Sequence, residues 1–242
     1  MNDTRKRRPT LQDIADLTGV TKMTVSRYLR DPSAVAEGTR ERIAAAVEEL
    51  GYIPNRAPDM LSNATSKAIG ILIPSLSNQV FSAVIHGIEA VTRPAGYQTL
   101  LAHYGYSPER EEEQVASLLS YNVDGLILSD TQHTERTRKM IATAGIPVVE
   151  TMDLPLSPID MVVGMDHRAA ARAMVTEMLR RGRRKVVYLG ARLDVRTQLR
   201  MEGYYQAMAD FGLNGQHLLT EQSSSFTLGG QLLEQAMARY PD

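Results

Sequence analysis

Residues 10–30 read TLQDIADLTGVTKMTVSRYLR, two short helical patterns joined by a glycine. Thr10 is placed to cap the first, with the acidic Asp13 three positions on. Leu11, Ile14, Ala15 and Leu17 then mark one helical face. Gly19 suits a tight turn with positive φ. Thr21 can cap a second helix, with Val25 and Leu29 spaced i, i+4 and Asp31-Pro32 stopping it. A third helix is expected to begin at Thr39, with Ile43, Val47 and Leu50 inward and Gly51 as its end. With Val25 packed against the first helix, the pair forms a helix-turn-helix, whose second helix enters the major groove of DNA by its N-terminal end. Thr21, Lys22, Met23, Ser26 and Arg27 point away from Val25 and Leu29. Lys22 and Arg27 can donate to guanine O6 and N7, and Met23 can pack on a thymine methyl. Thr10, Ser26 and Thr39 can bind phosphate oxygens. Leu11 and Thr24 join them as candidate DNA contacts. The same residues also describe a small helical bundle with a solvated basic face.

Charge favours an anionic partner for this end without naming it. Residues 1–30 hold seven Lys/Arg and three Asp/Glu, whereas residues 31–242 hold twenty against twenty-five. A basic end on an acidic body fits nucleic acid, an anionic lipid surface or a solubilising tail. Hydrophobic residues at 43% and charged residues at 23% are ordinary globular usage, which excludes wholesale disorder. With no Cys, disulfide scaffolds, thiolate zinc sites and Cys nucleophiles are excluded. Arg5-Lys6-Arg7-Arg8 is not followed by an apolar stretch, so no signal peptide is expected, and no apolar run approaches the ~20 residues of a membrane span. A soluble, cytoplasmic protein is the default expectation.

Beyond residue 53 the chain changes character twice. Residues 54–63, PNRAPDMLSN, have few apolar side chains and two prolines, so any helix there is marginal without a partner. From residue 68 short apolar runs alternate with amphipathic stretches. Strands are predicted at 69–73, 97–102, 123–128, 148–150, 161–165 and 186–189. Helices are predicted near 79–92, 108–121, 134–144, 167–181, 197–211 and 227–240. This is a doubly wound α/β arrangement, with ligands expected beyond the carboxyl ends of the strands. Pro155 and Pro158 mark a crossing into a second lobe.

Three stretches carry a family resemblance: Leu11–Ala15, Gly19–Arg27, and Leu50-Gly51-Tyr52-Ile53-Pro54-Asn55. They resemble the N-terminus of the lactose/galactose repressor (LacI/GalR) family. The order that follows, a hinge, then Ile69-Gly70-Ile71-Leu72-Ile73-Pro74 and a periplasmic-binding-protein-like core, resembles it too. Val20–Arg30, Pro54–Ser66, Leu101–Tyr106 and Tyr188–Arg192 resemble, more narrowly, the gluconate-utilisation repressors of that family. The resemblance implies an all-α helix-turn-helix head at 1–53, a hinge at 54–67, a first lobe at 68–157 and a partial second lobe at 158–242. It implies that Lys22, Met23 and Arg27 read bases and that Asn55 to Ser62 form a hinge helix on the operator. Leu61 would wedge into the minor groove, unstacking a base step. Pro58 and Asp59 depart from the family's Ala-Arg, and a carboxylate beside phosphate puts the hinge's phosphate contacts in doubt.

Effector candidates lie at two predicted strand ends. Ser75 to Phe81 follows the first strand, with Asn78 and Phe81 as candidates, although Phe81 equally reads as core. Gly190 to Arg200 follows the strand at 186–189 and opens a helix, where anions bind. Arg200 falls on the family position that grips the effector, and Arg192 and Arg196 add charge nearby. Guanidinium groups pair bidentately with carboxylates, so a sugar acid such as gluconate is expected. A solvated basic face is the alternative. Glu150 and Asp153 could accept from ligand hydroxyls. The run Arg180-Arg181-Gly182-Arg183-Arg184-Lys185 reads as a helix C-terminus with cations on its dipole. The five His show no metal spacing, and no cofactor is implied.

The expected function is a transcriptional repressor, a homodimer on a near-palindromic operator, released when a sugar acid closes the lobes. The competing readings are a repressor answering a neutral sugar, a solute-binding module without DNA function, and an enzyme. The first 60 residues oppose the module, and no catalytic constellation supports an enzyme. A head of about 60 residues with two lobes of roughly 135 each requires about 330. The 242 here therefore read as C-terminally truncated, with an unpaired second-lobe sheet edge and weak or absent effector binding expected.

Overall fold

In the computed structural model, which describes residues 7–55 and 65–241, residues 11–50 close on three helices. These are α1 (Leu11–Thr18), α2 (Lys22–Arg30) and α3 (Glu37–Leu50), with a 3-10 turn at Pro32–Ala34. The Asp13 carboxylate accepts from the Thr10 hydroxyl and the Thr10 backbone N–H, each at 2.7 Å. Those two bonds, helped by Arg7 at 2.7 Å, hold Asp13 below the usual carboxylate range. Gly19 ends α1 in the left-handed region at φ 67°, and the Val20 N–H reaches back to the Ala15 carbonyl. Thr21 then caps α2, its hydroxyl accepting from the Thr24 N–H at 3.3 Å. Removing that cap by Thr21→Ala costs about 1 kcal/mol. The expected readout is faster amide exchange along α2 in the whole chain.

Ile14, Ala15, Val25, Ile43 and Ala46 form the buried centre of the head, with Leu11, Leu29, Val47 and Leu50 packed around it. Two expectations need correction here. Leu17 is 51% exposed, and Thr18 takes the inward position. The stripe runs Leu11, Ile14, Ala15, Thr18 because i, i+3, i+4, i+7 is the true helical face. The buried Thr18 hydroxyl is satisfied by donating to the Ile14 carbonyl at 2.7 Å. The third helix begins at Glu37, not Thr39; Ala36 precedes it without a side-chain cap. Thr39 lies in its first turn, where the hydroxyl accepts from Arg42.

The second unit, from Lys67, alternates strands and helices. In order these are β1 (Ala68–Ile73), α4 (Gln79–Thr92), β2 (Gln98–His103), α5 (Pro108–Ser120), β3 (Gly125–Leu128), α6 (Glu135–Ala144), β4 (Val148–Met152) and β5 (Met161–Gly164). Then come α7 (His167–Arg180), β6 (Val187–Ala191), α8 (Val195–Asp210), β7 (Gln216–Thr220) and α9 (Phe226–Arg239). Five parallel strands make one sheet in the order β2-β1-β3-β4-β5, and β6 and β7 pair in parallel as a second. Leu72, Val115, Leu118, Leu126, Leu128 and Val148 centre the core of the first sheet. Leu179, Tyr204, Ala207 and Met208 pack the helices of the second.

Two features of this unit depart from the sequence pattern. The strand at Met161–Gly164 pairs with β4, so the first sheet extends past the boundary expected at 157/158. The intervening loop is tied to that sheet: Ile159 N–H donates to Glu150 at 2.6 Å and Val148 N–H to Asp160 at 3.1 Å. The sequence pattern also contains no apolar run that predicts β7, whose Gln216 and His217 interrupt it. Among the described residues β6 and β7 pair only with each other.

Candidate functional site

α2 presents a polar face with one apolar tip. Thr21, Lys22, Met23 and Arg27 are exposed, Met23 at 71%, while Thr24 and Ser26 are half-buried and Val25 fully inward. Three chemically different groups therefore stand together: a point charge at Lys22, a planar fork at Arg27 and a thioether at Met23. Thr24 is engaged with the Thr21 hydroxyl at 3.0 Å. Thr10 is exposed at the start of α1. Leu11 is half-buried and packs on the head core. Thr39 is half-buried on α3. Asn55 is exposed at the end of the described head, and Leu61 lies outside the described residues.

In the second unit the carboxyl ends of β1, β2 and β6 open on a cavity of about 960 Å3. One wall carries Ser75 to Gln79, and another carries Ser223 to Phe226 at the start of α9. Asn78 caps α4, accepting from the Val80 N–H at 3.2 Å, and Ser225 caps α9, accepting from Leu228 N–H at 3.1 Å. Two helix N-termini thus border the same space, each a favourable place for an anion. Arg192 and Tyr106 complete the lining, with the guanidinium carbon 3.8 Å from the ring centroid.

Of the sequence-derived effector residues, Asn78 and Arg192 line this cavity and the others do not. Phe81 is 1% exposed and packs with Ile71 and Ile73 in the core. Arg196 is consumed by Asp153: its Nε lies 2.9 and 2.7 Å from the two carboxylate oxygens, and its Nη2 donates to the Ser129 carbonyl. Asp153 also pairs with His167 at 2.9 Å, so it is not placed for ligand hydroxyls. Glu150 is fully buried against His133 and the Ile159 N–H. Arg200 is exposed on α8, its Nε donating to the Arg196 carbonyl.

The comparisons with known proteins follow this division. Residues 10–55 match the family described as bacterial regulatory proteins, lacI family. Residues 66–242 match the periplasmic binding proteins and sugar binding domain of the LacI family. The chain belongs to the LacI family. It is 59% identical, over 98% of its length, to the HTH-type transcriptional regulator GntR of Escherichia coli (strain K12), of which it spans 72%. A LacI-family transcriptional regulator from Silicibacter pomeroyi superposes with a TM-score of 0.87 at 35% identity, over 97% of this chain and 71% of that one. The lac repressor dimer bound to operator and an anti-inducer superposes with a TM-score of 0.79 at 25% identity, over 96% and 71%.

This LacI-family chain is a helix-turn-helix transcriptional regulator. Among the described residues no helix is long and apolar enough to cross a membrane, and no group of three His, Cys, Asp or Glu is arranged to hold a metal ion. Sequence reasoning missed Tyr106, His103 and the serines at 223–225 as cavity residues. The cap of α9 by Ser225, facing the cap of α4 by Asn78, is what brings the serines to the cavity. The basic run at 180–185 ends α7 as expected: Gly182 adopts φ 87°, Arg183 N–H donates to the Met178 carbonyl and Arg184 Nη1 to the Leu179 carbonyl.

Proposed function

We propose that this regulator is a cytoplasmic repressor that binds a near-palindromic operator as a homodimer and lets go when a sugar acid of the gluconate type fills the cleft. The exposed set on α2 supports the operator reading, because Lys22, Met23 and Arg27 provide base-edge chemistry on one helix face. Thr10, Thr21, Ser26 and Thr39 supply hydroxyls for phosphates, of which Thr10 and Thr21 are exposed. In this reading residues 1–53 are the head and 54–67 the hinge, with Asn55 and Leu61 acting at the operator centre. Coupling runs through that hinge: lobe closure separates the two hinge helices and the operator-ordered state is lost.

One observation carries the choice of an acid over a neutral sugar. Arg192 enters a cavity already bordered by two helix N-termini, so the electrostatics of the site favour a negative charge. A gel shift on operator DNA tests the reading. D-Gluconate is expected to release the DNA where D-glucitol, the same carbon chain with CH2OH for carboxylate, does not. Release by glucitol and not by gluconate would reject the acid.

A further inference from the structure

Tyr106 carries an aromatic ring into the cleft from the loop after β2, with a backbone φ of 62° that is uncommon for a residue bearing a side chain. Its ring meets that of Tyr104 edge-on, with centroids 6.5 Å apart, and the Tyr104 hydroxyl donates to Asp130 at 3.1 Å. The ring is thereby held from behind. In front of it lies the guanidinium of Arg192, which comes from the other sheet, after β6. The Arg192 backbone is fixed in turn, its N–H donating to the Gln222 carbonyl at 3.1 Å. Nη2 donates to Asp194 at 2.8 Å, whereas Nε is buried without a hydrogen-bond partner.

An arginine stacked on a ring has one face covered and its N–H donors confined to a plane. We infer that Tyr106 is a positioning residue, whose ring holds Arg192 so that its N–H edge selects the carboxylate of the ligand over a neutral hydroxymethyl group. The inference rests on the sugar-acid reading above. A carboxylate can accept from two N–H groups of one guanidinium, and a neutral hydroxyl matches that fork poorly. Asp194 fixes one end of the guanidinium, its Oδ2 accepting from Nη2 while its Oδ1 caps α8 through the Thr197 N–H at 2.8 Å, and the Tyr106 ring fixes the face. The stack also joins residues of the two sheets across the opening, so the residue that reads charge is held by the opposite wall.

Isothermal titration of the whole chain with D-gluconate and D-glucitol, carried into the millimolar range, tests this, with thermal melts confirming folding. Wild type prefers gluconate. Tyr106→Leu lowers the gluconate affinity about tenfold and leaves glucitol unchanged. Tyr106→Phe, which returns the ring, restores the preference, and Arg192→Lys, which keeps the charge but cannot stack as a plane, loses it. A folded Tyr106→Leu chain with the full wild-type preference overturns the inference and leaves the sugar-acid reading standing. If Tyr106→Leu does not fold, full preference in Arg192→Lys overturns it. A wild-type chain that binds both compounds alike, or neither, defeats the sugar-acid reading and this inference with it.

Discussion

Replacing Arg27 by Ala weakens operator binding by about 1–3 kcal/mol, up to roughly two orders of magnitude in affinity, and relaxes base preference at one position in each half-site. Arg27 is exposed on α2 two residues beyond the buried Val25, so its removal leaves the head core intact. Loss of a base contact differs from loss of a phosphate contact. The first narrows the gap between operator and random DNA, whereas the second weakens both alike and lowers the salt slope. Fluorescence anisotropy on operator duplexes substituted one base pair at a time separates the two. An Arg27→Ala chain with unchanged affinity and unchanged base preference would place this side chain away from the bases.

Substituting Leu for His133 destabilises the second unit by about 3–5 kcal/mol, because it leaves buried carboxylates without their cation. His133 Nδ1 lies 3.0 Å from Glu111, and Nε2 lies 3.4 Å from Glu150, with all three side chains at most 1% exposed. Burial opposes the imidazolium, but the hydrogen bond and charge of Glu111, with Glu150 and Asp130, outweigh it and raise the His133 pKa. A histidine whose folded pKa exceeds its unfolded value of about 6.5 stabilises fully below that value. The contribution is lost as pH rises through the folded pKa. Denaturant melts at about pH 6 and at alkaline pH are therefore expected to show a wild-type advantage over His133→Leu that shrinks as pH rises. An advantage independent of pH would mean that His133 is neutral between its carboxylates.

What the sequence made legible is what repeats locally. The head follows from apolar residues at i, i+3 and i+4, from Thr21 as a cap and from glycines at helix ends. Five strands of the first sheet follow from short apolar runs, and in β1 and β3 burial keeps those runs free of polar alternation. What it hid depends on distant pairing. Arg196 reads as a ligand arginine until Asp153, forty-three residues earlier, is seen to occupy it. Arg192 has the same local signal and remains in the cavity because its partner, Asp194, takes only one edge of its guanidinium. His133 looks isolated in sequence, and its two carboxylates come from α5 and β4. Tyr106 closes the stretch Leu101–Tyr106 that carries a resemblance, but nothing marks it for the cleft until β2 and β6 bring it opposite Arg192.

Selection from a random-sequence duplex pool by the intact chain, followed by salt titration of the winning site, tests the central claim that this protein regulates by reading DNA. The expected result is enrichment of one near-palindromic sequence, an affinity that falls steeply as salt rises, and loss of the preference in Arg27→Ala. A folded, dimeric chain that enriches no sequence and binds all duplexes with equal affinity would contradict the account.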